Sequence, residues 1–497
     1  VASVEAEKNS RYRYSPLSVP DVFNIFNELK DVPDALCISG WWPSATRHSE
    51  QQSVAGYRGV HKEGIVVGKR RLLGKTIEYF SSSHERSHLL CAFGMSNLPK
   101  GTPCYALLWE GVIGSFYEID TELNITKLAE VMPEPGHRYA LLYGLADPTF
   151  DTSVAEFSRL SDAGKLMALA SFSKRSTPSD EEEKLITFLM QSCAHLKPKE
   201  CESLKHFRHY NVGLDDQEFR NFAGIVSDRI FDRFFEFAKS NMKKNTKWRE
   251  CNLFSEVFVP PVANDSGSAI GTAIDTQFYL TGDPKINWSV YSGLAFEGSD
   301  TFDASLFDMY NTNNSMIADL LANDLIIGWV NGKYEIGPRA LGNRSILASP
   351  FQDSTRQRLN VIKQREQFRP IAPICLEEDA KKWFSCKQPS PFMLYTQTVT
   401  TRALKAVTHV NGTARIQTVS SETNSQMYAL LEAFKSRTGY GVLCNTSLNF
   451  NGRGFINNIH DLSSYAIEHG LDGFVIEGRS YMLKSSEKYQ AYLKLIK

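Results

Sequence analysis

Seven Arg and Lys side chains stand between Tyr334 and Pro370, in the stretch YEIGPRALGNRSILASPFQDSTRQRLNVIKQREQFRP. The whole chain carries a formal net charge of -1, so this local excess is not a by-product of a basic composition and asks for an anion such as phosphate or carboxylate. Arg339 and Arg344 flank a tight turn whose glycines, Gly337 and Gly342, let the backbone come close to a ligand. Lys363 and Arg365 are two apart, and Arg369 follows. Guanidinium forks suit bidentate phosphate contacts, and a single ammonium suits a shared bridging oxygen. A solvated basic loop and helix face would have the same composition, so a second feature is needed. It lies in GVLCNTSLNFNGRGFI, 441 to 456, where Ser447 and Asn449 again stand two apart and Arg453 adds a cation. In an extended segment their hydroxyl and amide share one face and can meet phosphate oxygens or a ribose. Asn and Ser also cap turns routinely; the specific signal is the pairing of Lys363-x-Arg365 with Ser447-x-Asn449. Separately, SSSHERSHLLCAFGMS places His84 and His88 four apart. On a helix that puts both imidazoles on one face, where they can bind one metal, although a bare His-x-x-x-His is common by chance.

These residues need elements to hold them. Leu325 to Val330 is an apolar, β-branched run that predicts a buried strand leading into the GPRALG turn. Met427, Leu430, Leu431 and Phe434 recur at helical spacing within Ser425 to Ser436, with Gly439 as a stop, and predict a core-facing helix. Another helix is expected at Met316 to Leu321, and a charged one with an apolar seam from Asp180. The polar passage EGSDTFDASLFDMYNTNNS predicts a linker. A length of 497 residues, 42% hydrophobic and 22% charged, fits two globular domains rather than one core or a disordered chain. No run of about 18 apolar residues is present to span a membrane, and no secretory leader opens at Val1. Nine cysteines without CxxC spacing, among them Cys37, Cys91, Cys251 and Cys444, predict reduced core thiols in a cytoplasmic protein.

The blocks GPRALGNRSIL, IKQREQFRP, HVNGTARIQTV and CNTSLNFNGRGF resemble the O-carbamoyltransferases of the nodulation-factor, cephalosporin and tobramycin type. The resemblance implies a mixed α/β (α+β) protein with an ASKHA-like (actin/Hsp70-like) domain over 1 to 310 and a YrdC-like carbamoyl-adenylate synthase domain over 311 to 497. In such synthases the signature is a Lys-x-Arg pair with a Ser-x-Asn pair, matched here by Lys363, Arg365, Ser447 and Asn449. It further implies that Arg339, Arg369 and Arg415 hold carbamoyl phosphate and the triphosphate of Mg-ATP, with Arg344 and Arg453 as further cations of that site. VFVPPVANDSGSAIGTAI is similar to a family segment in which the position of Asp265 supplies a metal-binding carboxylate. Added to His84 and His88, it implies a site for Fe(II) or a similar divalent metal with open positions. Glu110, in Trp109-Glu110-Gly111 where the family more often has Asp-Gly, either keeps a carboxylate role with a longer arm or contributes nothing to the metal. Gly164-Lys165-Leu166-Met167 is similar to a family GKxM segment, and Arg13 lies where a basic residue is usual.

Two segments of the family pattern lack a counterpart: a strand, His-Asp-Gly turn and second strand expected before Val1, and a glycine-rich GGxxLN strand and turn near Lys244. Segments missing from the chain as given explain this better than a deletion, which would disable the site. The implied activity makes carbamoyl adenylate from carbamoyl phosphate and ATP, then carbamoylates a hydroxyl of a small-molecule natural product. The pattern leans toward the branch acting on ansamycins or saxitoxin-type toxins, with Trp41-Trp42-Pro43 and Tyr139 as candidate acceptor-lining regions. No nucleic-acid or membrane partner is expected, and a homodimer is allowed. Two alternatives stay open. A transfer-RNA threonylcarbamoyl enzyme would need a basic footprint that a net charge of -1 does not supply. A non-catalytic ATP-binding module would release no pyrophosphate.

Overall fold

The computed structural model describes residues 18–29, 31–42, 54–151, 153–191, 198–200, 202–242, 256–298 and 301–496. Arg13, Pro43, Cys251 and the segment around Lys244 lie outside them. The chain divides into two compact units, one of Val32–Ile286 and one of Asn287–Lys497 together with Val1–Asp31. The second unit thus begins upstream of the expected division at 310.

In the first unit, the strand Lys75–Ser81 is central to a three-stranded sheet, parallel to Ala35–Cys37 and antiparallel to Val66–Leu72. A meander of Cys104–Trp109, Gly114–Ile119 and Ile125–Glu130 follows the helix His84–Met95. That helix starts at Ser83, whose hydroxyl accepts from the Arg86 backbone N–H at 3.0 Å. Its partner is the helix Ser266–Thr281. The two approach so closely that a Cβ on Gly271 would lie 1.7 Å from the Ser87 carbonyl oxygen. Across the same contact, Ser87 and Thr272 hydroxyls are 2.8 Å apart and buried Arg86 donates to both carboxylate oxygens of buried Asp275 at 2.7 and 2.8 Å. The charged helix appears as Asp180–Gln191 with Leu185, Ile186 and Leu189 buried, as expected. Its Glu182 is not solvated: it is buried against Arg175 and His209.

The second unit is built on an eight-stranded mixed sheet, in the order Gln417–Val419, Ala372–Leu376, Val442–Ser447, Arg344–Ala348, Ile327–Val330, Gly473–Ile476, Arg479–Leu483, Phe307–Asn311. Alternate residues face opposite cores, as a period of two requires. Cys375, Ile346, Cys444 and Phe474 enter one core, and Ile374, Leu347, Leu443 and Val475 the other. A sheet covered on both faces reads as near-continuous apolar runs, which is why the 325–330 stretch was legible as a strand. The helix Ser425–Thr438 has its four stripe residues buried and ends at Gly439, φ 81°. The other expected helix is Asn314–Ala322. The passage expected to be a linker instead supplies an edge strand, Phe307–Asn311, paired antiparallel with Arg479–Leu483. Phe307, buried in the core, overrides the polar composition around it.

Candidate active sites

The two ends of the anion-trap motif meet through sheet pairing. Arg344–Ala348 runs antiparallel to Val442–Ser447, with Ser345 opposite Ser447. The preceding turn is shaped by Glu335, a buried carboxylate whose Oε1 accepts the backbone N–H groups of Leu341 and Asn343 at 2.7 Å and of Arg344 at 3.2 Å. Gly337 (φ 81°) and Gly342 (φ 108°) adopt backbone conformations that side chains disfavour. Buried amides lash the turn to two strands: Asn445 Nδ2 donates to Ala340 O and Gln417 Oε1, and Gln417 Nε2 to Leu341 O. Neither amide stood out in the sequence, because a lone Asn or Gln in an apolar strand has no periodic signal.

Lys363 caps the helix Asp353–Ile362 and is 5% exposed. Its ammonium donates to Ser447 O at 2.8 Å, Asn449 O at 2.5 Å and Asn449 Oδ1 at 2.6 Å, while Ser447 Oγ donates to the same Oδ1 at 2.5 Å. Lys-x-Arg and Ser-x-Asn are therefore in direct contact, with all three Lys363 donors on the loop. Arg365 donates Nε to Asn360 Oδ1 at 2.7 Å and leaves a buried Nη2 without a hydrogen-bond partner among the described residues. The Nε of Arg415 is in the same position.

Burial and neighbouring cations act together on this group. Burial, then Arg365 and Arg369, hold the Lys363 ammonium well below its ordinary value. Burial and Arg369 push Arg365 down to about 10, and burial with Arg339, Arg365 and Arg369 pushes Arg415 to about 9. Like charges are thus packed together out of water, a state that a bound polyanion would relieve. His409 belongs to the same group: burial and Arg415 lower its imidazole to about 4, so it is neutral at pH 7. Arg369 has an acidic neighbour, Glu366, at 3.7 Å.

Two proposed cations are placed differently. Arg344 is fully buried and donates to Asn457 Oδ1, Asn331 O, Asn343 O and Gly332 O at 2.8 to 3.2 Å. Its guanidinium is saturated by the protein, so it is a structural staple and not an anion ligand; sequence alone cannot tell an arginine facing a ligand from one facing carbonyls. Arg344→Ala is expected to destabilise the protein by about 3–5 kcal/mol, the cost of stripping a buried charged group from its partners. Urea unfolding checks it, and a fold of unchanged stability would contradict the staple. Arg453 is exposed, with its guanidinium 5.5 Å from the Phe450 ring centroid.

In the first unit, His84 and His88 lie one turn apart with Nε2 atoms 3.1 Å from each other and 3.7 and 3.8 Å from Asp265 Oδ1. Asp265 stands at the N-terminus of the Ser266–Thr281 helix, so the Gly271 contact sets its distance from the histidines. The three ligand atoms fall within 4.8 Å of one another. Burial and His88 lower the His84 imidazole to about 3, which keeps it in the neutral, ligating form, and His88 holds the Asp265 carboxyl below the ordinary range. Two imidazole nitrogens and a carboxylate, converging from one side, fit a divalent metal that keeps open positions. Gly271→Ala is expected to drive the helices apart and abolish metal uptake, measured as metal per chain alongside circular dichroism; full metal content would show that the close contact does not set the ligand spacing.

Glu110 lies outside that convergent group. Its carboxylate accepts the Tyr57 hydroxyl at 3.1 Å to each oxygen and the Ile113 backbone N–H at 2.9 Å. Burial raises it above the ordinary carboxylate range, and it feels the charges of His88 and Asp265. Tyr57 links it to the ligands by stacking on His84, centroids 4.3 Å apart at 19°. Tyr139 is buried and does not present a face to an acceptor. Trp41 and Trp42 are exposed.

The family model described as Carbamoyltransferase C-terminus matches residues 318–483, and that described as Carbamoyltransferase N-terminus matches residues 238–274. The chain is 42% identical to a 3'-hydroxymethylcephem-O-carbamoyltransferase of Amycolatopsis lactamdurans, covering 95% of this chain and 94% of the relative. It is 40% identical to a protein of the same description from Streptomyces clavuligerus over 93% and 91% of the two chains, and 32% identical to Nodulation protein U of Bradyrhizobium diazoefficiens over 83% and 77%. The chain belongs to the O-carbamoyltransferase family. None of these relatives is described as acting on an ansamycin or a guanidinium toxin, the branch toward which the sequence leaned. Among the described residues no helix is long and apolar enough to cross a membrane.

Proposed function

We propose that the chain makes carbamoyl adenylate from carbamoyl phosphate and ATP in a YrdC-like C-terminal unit and transfers the carbamoyl group to a small-molecule hydroxyl in an ASKHA-like N-terminal unit. One observation carries the first half: Lys363 joins the Lys-x-Arg and Ser-x-Asn motifs directly, beside Arg365 and Arg415, which burial and neighbouring arginines hold down. Water splits carbamoyl phosphate into carbamate and inorganic phosphate; a carbamate oxygen then bonds to the α-phosphorus of ATP, and the bond to pyrophosphate breaks. Carbamate is a weak nucleophile and short-lived in water, so catalysis here is positioning and charge neutralisation. The free guanidinium donors of Arg365 and Arg415 would take phosphate oxygens, while Lys363 sets Ser447 and Asn449 against them. Mg²⁺ accompanies the ATP.

In the second half the acceptor oxygen bonds to the carbamoyl carbon and AMP leaves. A divalent metal such as Fe(II), held by His84, His88 and Asp265, would supply Lewis acidity at the carbamoyl carbonyl. Glu110 would take the hydroxyl proton, since a carboxylate lifted by burial is a better base near neutral pH than an ordinary one. Tyr57 holds it in place. A 3-hydroxymethylcephem is the first acceptor to try, because two relatives are described as acting on one.

The test is pyrophosphate release from ATP with and without carbamoyl phosphate, followed by mass analysis of the acceptor. Carbamoyl-phosphate-dependent release and a carbamoylated product are expected. ATP turnover without carbamoyl phosphate, or none at all, would overturn the proposal.

A further inference from the structure

Beside the ligand cluster of the N-terminal unit stands an aromatic corner that the chemistry so far leaves unused. The ladder that begins with Ala35–Cys37 continues past it, with Ile38 N donating to Phe80 O at 3.0 Å and Gly40 N to Ser82 O at 2.7 Å. That extension brings Trp41 and Trp42 over the start of the His84 helix. The position of the turn is set by Gly40, where a Cβ would lie 2.2 Å from Gly56 O. Trp42 stacks on Tyr57 at 4.3 Å and 9°, and Tyr57 stacks on His84 at 4.3 Å and 19°. Trp41 stands edge-on to both, 5.3 Å and 73° from Tyr57, 5.0 Å and 83° from His84. A continuous pile of rings therefore ends on a histidine of the ligand group, with one indole set at right angles to the pile.

Both indoles remain open, Trp41 51% exposed and Trp42 46%. Two adjacent indoles half in water and stacked onto a ligand-group histidine make a contiguous apolar patch of the kind that marks a ligand site. Tyr57, the nearest phenol, already donates to Glu110. The corner thus offers two broad π faces with an indole N–H donor on each, a surface that suits a flat, unsaturated, carbonyl-bearing ring.

We propose that Trp41 and Trp42 are the acceptor-specificity residues, and that they seat the flat, unsaturated ring of an acceptor whose hydroxymethyl arm reaches toward His84, His88 and Asp265. This rests on the carbamoyl-transfer reading above for the identity of the reaction, but the binding itself does not. The ring lies against the indoles, the arm carries the hydroxyl toward the ligand group, and the other aromatic residues of the pile keep both in line.

The test uses the full chain without ATP or carbamoyl phosphate, so that no turnover is needed. A 3-hydroxymethylcephem and a hydroxymethyl hexoside are titrated into parent, Trp41→Ala, Trp42→Ala and Trp42→Phe proteins by calorimetry. The parent should bind the cephem more tightly than the hexoside. Each alanine variant should weaken the cephem about tenfold, the scale of one lost aromatic contact, and erase the preference; Trp42→Phe should restore most of it. Equal binding of both ligands by the parent, no binding of the cephem, or alanine variants that bind it like the parent would each overturn the proposal. If Trp41→Ala unfolds, the Trp42 pair still decides. Selective binding by a protein that carbamoylates nothing would retain the corner and sink the reaction; carbamoylation with no selectivity would do the reverse.

Discussion

Lys363→Ala is expected to lower carbamoyl-adenylate formation by about 10²-fold while the protein stays folded, the scale of a reacting group misplaced by about 1 Å once the loop that Lys363 holds is released. Lys363 is buried, donates three hydrogen bonds to the 447–449 loop and is the only group seen to bridge the Lys-x-Arg and Ser-x-Asn motifs among the described residues. Without it, Ser447 O, Asn449 O and Asn449 Oδ1 lose their donor and the loop relaxes. Arg365→Ala should resemble it in rate but not in loop order, because Arg365 donates to Asn360 and offers a free donor instead. Pyrophosphate release and circular dichroism, measured together, check both. Normal release from a folded Lys363→Ala protein would sink the assignment, since a lysine that only braces a solvated loop has no rate to lose.

His84→Ala and Asp265→Ala are expected to separate the two half-reactions: pyrophosphate release persists and acceptor carbamoylation falls at least about 10³-fold, as loss of a Lewis acid should give. The histidines and the carboxylate lie in the unit 32–286, and the cation group in the unit from Asn287. Metal content should fall with each variant, and stringent chelation of the parent should reproduce the same split. If either variant loses pyrophosphate release as completely as Lys363→Ala, or if the chelated parent transfers at full rate, the division of labour is wrong. Two histidines that only fill a core would behave differently again, with lower stability and no metal dependence.

The sequence by itself determined the residue pairs and the strands that carry them. Lys363-x-Arg365 and Ser447-x-Asn449 were recognisable because each pair is local, two residues apart, and period-two alternation in a doubly covered sheet leaves apolar runs that announce the strands. His84 and His88 were recognisable because four residues make one helical turn. The helix 425–438 was legible for the same reason, its stripe and its Gly439 both being short-range signals.

Only the tertiary structure decided which polar groups face which. Arg339, Arg344, Arg365 and Arg415 are alike in sequence, yet Arg344 is enclosed by carbonyls and an amide while Arg365 and Arg415 keep free donors. Tyr57 and Glu110 are 53 residues apart and meet through a hydrogen bond, and Gly271 matters because it faces Ser87 in another helix. The edge strand Phe307–Asn311 was hidden by polar neighbours, since a single buried Phe307 and a partner strand more than 170 residues on decide its fate. Local pattern reports what a residue's own neighbours favour; long-range packing chooses among residues that local pattern leaves equal, and that choice separates Arg365 and Arg415, with their free buried donors, from Arg344, folded into the scaffold.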